Sequence, residues 1–297
     1  MNQTELVKEF LSYFGGEPAG IRTFTSPGRV NMIGEHTDYN GGYVFPAALT
    51  LSTTLLARPR TDRILRLVAT DLKQVIEADL EHLADYKGLK WGNYQLGVAD
   101  ELQKAGYSIC GCDLLYEDKV PLGSGLSSSA AIEVSTAFAL VSLGAGADSK
   151  IEIDPIEMAK ISQTAEHNYV GVMCGIMDQF ASAMGKKDHA IFLDCLTLEY
   201  EWVPLDMEGV SIVIANTNKK RSLGESKYNE RRSQCEAGLE ILKKVLPNAA
   251  CLRDVSATDF EKYGYLIEDE VIKTGLHILS MRMTVYFVLL KHLKQVT

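Results

Sequence analysis

The stretch that most constrains the fold is CDLLYEDKVPLGSGLSSSAAIEVSTAFALVSLG, residues 112–144. An apolar strand runs into a Pro and Gly turn, then three serines, then a helix that is apolar on nearly every side. Such a helix cannot sit at a surface and needs neighbours all round. Further strands read at TTLLARPR, ILRLVATD, HAIFLDC, LEYEWV and GVSIVIAN. Helices read at the N-terminus, at DPIEMAKISQTAEHNYVG, where Asp154 caps and Pro155 opens the first turn, and at GESKYNERRSQCEAGLEILKKVLP. Mixed strands and helices give an α/β or α+β class. The 297 residues suggest two domains. The polar GKKD between two apolar stretches places the boundary at 185/186, giving units 1–185 and 186–297.

In residues 121–131, Gly123 and Gly125 permit close backbone approach. The following helix start offers unpaired N–H groups suited to phosphate. No Lys follows the second Gly, so this is not a Walker loop, and Ser128 stands where a dinucleotide fingerprint needs glycine. On its own the segment reads equally well as a capped turn. Residues 26–42, SPGRVNMIGEHTDYNGG, crowd Arg29, Glu35, His36 and Asp38 among turn formers. They form either a solvated loop or a loop that holds a polar ligand. His36 has no second His at helical spacing, which argues against zinc. Asp178 lies among Ile176, Met177 and Phe180. It is either a helix cap or a buried acid in need of a cation, and Arg29 is the natural candidate.

The net charge of −9 argues against nucleic acid as a partner. No apolar run approaches a membrane span or a secretory signal. Six cysteines without C-x-x-C spacing read as reduced thiols of a cytoplasmic protein.

Taken together, GRVNMIGEHTDYNGG, PLGSGLSSSAA, GIMDQF and NTNKKRSLGESKYNERR resemble segments of the galactokinases, a branch of the GHMP family of small-molecule kinases. The likeness runs from about Thr23 to about Val271. It implies a two-domain GHMP kinase fold: an N-terminal domain like ribosomal protein S5 domain 2, and a C-terminal ferredoxin-like domain. It implies ATP-dependent phosphorylation of galactose at C1 by a monomer using magnesium. Asp178 would accept the sugar's proton and Arg29 would offset charge. Glu35, His36, Thr37, Asp38, Gly175 and Tyr228 would bind galactose. Gly123, Ser124, Gly125, Leu126, Ser127, Ser128 and Ser129 would cradle ATP, and Ser129 and Glu166 would hold Mg2+. Trp91 and Tyr94 would flank the nucleotide.

Beyond about residue 273 the likeness stops, and the family's third, Gly-rich motif is not found. Residues 280–284 can be back-translated so that a frame two bases later reads Tyr-Glu-Asn-Asp-Arg, close to the family's Glu-Asn-x-Arg. The expectation is an incomplete second domain, low stability, impaired turnover and an aggregation-prone β segment at 284–290. The alternatives are a non-catalytic galactose and ATP sensor, an inactive remnant, or an N-acetylgalactosamine kinase.

Overall fold

The computed structural model describes residues 1–121, 123–146, 152–216 and 224–296. Among these, eight strands form one mixed sheet. The long β3 (Pro46–Pro59) is its spine. It pairs antiparallel with β1 (Arg22–Asn31), with β6 (Cys112–Asp118) and, at Ala47, with β7 (His189–Asp194). β4 (Ile64–Ala69) lies parallel to β6 and antiparallel to β5 (Gln74–Asp79). The short β2 (Tyr43–Val44) and β8 (Tyr200–Pro204) both pair with β7.

The strands alternate so that both faces are apolar. Leu55, Ala57, Leu65, Leu67, Leu114 and Tyr116 face one layer of helices, α2 (Gly92–Lys104), α3 (Ser128–Gly144) and α4 (Pro155–Ala165). Leu56, Val68 and Leu115, one residue out of phase, meet α1 (Gln3–Phe14) on the other face. A reciprocal cap between Asn2 and Glu5 starts α1. Phe10 at 0% exposure anchors it, a burial of about 1.5–3 kcal/mol. As its composition requires, α3 is central, with Ala130, Val134, Ala137, Leu140 and Val141 all buried. α5 (Met177–Met184) packs through Phe180 and Met184 with Val44, Ile191 and Leu193.

Three findings differ from the sequence expectations. β7 and β8 lie beyond residue 185 yet belong to the main sheet, so sheet membership does not end there. Residues 209–216 form no strand; Val210, Ile212, Val213 and Ile214 are exposed. β-propensity is expressed only where a strand packs against neighbours on a sheet, and this segment carries no strand pairing in the sheet among the described residues. Residues 284–290 lie within a helix, α8 (Glu270–Val296), not in an extended segment. α8 packs with α6 (Gly224–Lys243) and α7 (Ala257–Tyr263) around Leu242, Phe260, Leu276 and Leu279, a core separate from that of the sheet. All six cysteines are free. No helix among the described residues is long and apolar enough to cross a membrane.

Candidate active site

The site begins with a defect in β1. Its register against β3 shifts between Pro27 and Arg29, a bulge that leaves Gly28 without a partner in the register while Arg29 stands opposite Ala48. Gly28 is needed there, since a β-carbon would lie 2.6 Å from the Leu126 carbonyl oxygen. That closeness lets the Arg29 N–H donate to Leu126 O at 3.0 Å, docking the Gly-Ser loop on the strand. The guanidinium then reaches three ways. Nε and Nη2 donate to Asp178 Oδ1 at 2.8 and 2.7 Å, and Nη1 donates to Gly125 O at 2.7 Å. The Arg29–Asp178 partnership expected from sequence is therefore present.

Ser127 holds a left-handed backbone at φ 62°, a conformation costly for a non-glycine residue. Its hydroxyl donates to Asp178 Oδ2 at 2.5 Å and does not cap α3. The first N–H groups of α3 are left without a side-chain cap, with the helix dipole behind them. Ser128 spends its hydroxyl on Asp118, which also receives Thr53 Oγ1 at 3.1 Å. From Ser128, only backbone is left to offer a phosphate. Ser124 Oγ is buried without a partner among the described residues. Gly123 and Gly125 both have positive φ, as the turn demands. Trp91 packs beside the sheet core and donates Nε1 to Gln74 at 3.1 Å.

The 34–43 loop closes the other side. Thr37 is 1% exposed, and its hydroxyl meets the carbonyls of Gly34 and Tyr43 at 2.6 Å each, so this side chain braces the loop. His36, at φ 65°, bonds Tyr39 Oη through Nδ1 at 2.8 Å and lies 5.7 Å, ring to ring, from Tyr228. Burial and the charges of Arg282 and Arg231 push its pKa down, favouring the neutral ring. Glu35 is exposed and accepts from Asn31 Nδ2 at 3.2 Å. Asp38 is 8% exposed, and burial together with the Asp178 charge raises its pKa to about 7. Gly175 lies against it and donates its N–H to Tyr228 Oη at 3.3 Å. An apolar hollow of about 490 Å³ between α6 and α8 lies behind His36 and touches none of the Gly-Ser loop.

Sequence reasoning missed the floor of the site. Glu133, on α3, is 0% exposed beside Glu166, and the Gln179 Nε2 donates to both, at 3.0 and 2.7 Å. Glu166 opens a single π turn, Glu166–Val170, a distortion common at functional sites. Glu133 Oε1 and Gln179 Oε1 are buried acceptors with no partner among the described residues. Burial and the neighbouring Glu166 push the Glu133 pKa well up. The signal in the sequence was a lone acid in an otherwise apolar helix. Among the described residues no three His, Cys, Asp or Glu side chains form a metal cage. A hydroxyl, a buried carboxylate and surplus oxygen acceptors nonetheless suit Mg2+, which takes one or two protein carboxylates and completes its shell with phosphates and water.

Known proteins resemble this chain in sequence and in fold. A galactokinase galactose-binding signature matches residues 8–59, and the GHMP kinase N-terminal domain matches residues 93–186. The chain is 46% identical over 280 residues to a galactokinase of Clostridium tetani, covering 94% of this chain and 69% of that one. It superposes on the Lactococcus lactis galactokinase complexed with galactose with TM-score 0.90 at 38% identity, covering 98% of this chain and 74% of that one. A mevalonate kinase of Methanococcus jannaschii shares the fold at TM-score 0.56 and 18% identity, covering 90% of this chain and 80% of that one.

Proposed function

This chain belongs to the galactokinase family of GHMP kinases, and on that premise we propose that it transfers the γ-phosphoryl group of ATP to the C1 hydroxyl of α-D-galactose. The products are α-D-galactose 1-phosphate and ADP. The observation that supports the reading is the Arg29–Asp178 pair, held between the Gly-Ser loop and the 34–43 loop.

Galactose presents hydroxyls that are both donors and acceptors. The Glu35 and Asp38 carboxylates accept from them, His36 and Tyr228 complete the ring of contacts, and charged acceptors make these bonds strong. Galactose binding in this scheme draws Asp38 into its ionised form. Asp178 accepts the C1 hydroxyl proton. Its Oδ1 already takes two Arg29 donors and its Oδ2 one Ser127 hydroxyl, so Oδ2 has the more open valence and is the oxygen assigned to the proton. Arg29 holds the Asp178 carboxyl in place and offsets charge on the migrating phosphoryl group. The 123–129 backbone and the α3 N-terminus bind the nucleotide's phosphates. Ser129 and Glu166 would hold magnesium, which neutralises charge on the β- and γ-phosphates. The proposed setting is the cytoplasm, supported by six free thiols.

A non-catalytic sensor, an inactive remnant and an N-acetylgalactosamine kinase are less favoured. The serine loop is whole, and the curated relatives at 45–46% identity are galactokinases. ADP release coupled to a dye reaction, with phosphorus NMR of the product, tests the proposal. ADP should appear only with galactose and with a sugar 1-phosphate signal; ADP formed equally well without sugar would refute it.

A further inference from the structure

We propose that Gln179 is a positioning residue for phosphoryl transfer, whose amide fixes the Glu166 carboxylate and links it to the helical turn that presents Asp178. The inference rests on the reading of Glu166 as a metal-holding residue. Gln179 is 0% exposed, so bulk solvent does not reach its amide. Its Nε2 lies between two carboxylate oxygens, 2.7 Å from Glu166 Oε2 and 3.0 Å from Glu133 Oε2. The amide presents its NH2 end to both carboxylates, with the nearer contact to Glu166. Both donor hydrogens are thereby committed. The amide oxygen is left without a partner among the described residues, as is Glu133 Oε1. A merely structural core amide would be expected to satisfy both ends. Here satisfaction of the carboxylates takes precedence, as it does where a neighbour orients a ligand. The thiol of Cys174 adds a weaker donor to the same Glu166 oxygen at 3.4 Å.

Gln179 also follows Asp178 directly on the first turn of α5. One backbone turn thus sends Asp178 toward Arg29 and Gln179 toward Glu166, fixing the distance between the proton acceptor and the metal-holding carboxylate. Glu133, one turn beyond Ser129 on α3, is the second anchor of the amide. Without it the amide could rotate away from Glu166.

The test uses Gln179→Met, which keeps volume and removes the donors, beside Glu166→Gln. Mn2+ binding with a non-hydrolysable ATP analogue is followed by electron paramagnetic resonance, galactose affinity by calorimetry, and folding by thermal melts. Loss of an orienting neighbour weakens metal binding by about 10–100-fold. The expected result is a loss of that size in Gln179→Met, with galactose affinity unchanged and nothing further lost when Glu166→Gln is added. Where Gln179→Met does not fold, Gln179→Asn, which draws the amide back by one methylene, should show the same loss in Mn2+ binding. Unchanged Mn2+ binding in Gln179→Met, with Glu166→Gln impaired, overturns the inference alone. Parallel loss of Mn2+ and galactose binding also overturns it, because that marks a structural role. Unchanged Mn2+ binding in Glu166→Gln overturns the metal-holding reading itself.

Discussion

Gly175 and Asp38 meet so closely that a β-carbon on Gly175 would lie 2.1 Å from Asp38 Cγ. The glycine belongs to the segment leading into α5, and the aspartate belongs to the 34–43 loop. Neither can gain an atom without displacing the other. Gly175→Ala should therefore weaken galactose binding by about tenfold or more and cost about 1–3 kcal/mol, the usual penalty for overpacking. Nucleotide affinity should hold. Calorimetry with each ligand and a denaturant titration check both expectations.

Asp38 carries a pH dependence of defined sign. Its pKa is about 7 in the folded chain against 3.8 for an ordinary aspartate, through burial and the Asp178 charge. Between those values the folded protein keeps a proton that the unfolded chain releases. The stabilising contribution is complete below pH ~4 and is lost as pH rises through ~7. Melting temperature without ligand should fall across that window, and Asp38→Asn should flatten the slope. Because galactose is proposed to bind the ionised form, its affinity should rise over the same interval.

Arg29→Lys keeps the charge and loses the fork. An ammonium cannot bond Asp178 and the Gly125 carbonyl in the arrangement seen, where three nitrogens serve two partners. We expect kcat to fall by about 10²–10³, as for loss of a preorganised donor. The galactose KM should move far less, and steady-state kinetics separate the two.

Arg253 fastens the far end of the 34–43 loop. It donates to Asp194 Oδ1 at 2.6 Å, to Gly41 O at 3.3 Å and to the Tyr43 hydroxyl, and stacks 4.3 Å over the Tyr43 ring. Arg253→Met leaves Asp194, a largely buried carboxylate, without this cation. A cost of about 1–3 kcal/mol follows from the stranded acceptor, read as a lower denaturation midpoint. Galactose KM should rise with it.

Much of this site was legible because its parts are local. The Gly-Ser loop announces a helix start, and the crowding of Arg29, Glu35, His36 and Asp38 announces a ligand loop. The pairing of Arg29 with Asp178 followed from the cost of burying an acid. What escaped reading depends on distant chain. Glu133 and Gln179 look like stray polar residues until α3 and α5 pack together. Ser128 looked free for a phosphate until Asp118 came across from β6. Residues 209–216 have a strand's composition but form no strand in the sheet, because strand formation depends on pairing that local sequence does not supply. The β-prone letters at 284–290 lie in α8, continuing a helix whose earlier turns pack on α6 and α7 through Ile272, Leu276, Leu279 and Met283. Arg282, midway along α8, donates to the Glu35 carbonyl at 2.6 Å, a contact no motif predicts.

The most direct measurement is the turnover of Asp178→Asn with its ligand affinities. The account predicts that galactose-dependent ADP release falls by about 10²–10⁴, the range for loss of a general base, while galactose and ATP-analogue binding persist in calorimetry. A variant that binds both ligands and still turns over close to the parent rate would contradict it, because the carboxylate beside Arg29 would then not be the proton's destination.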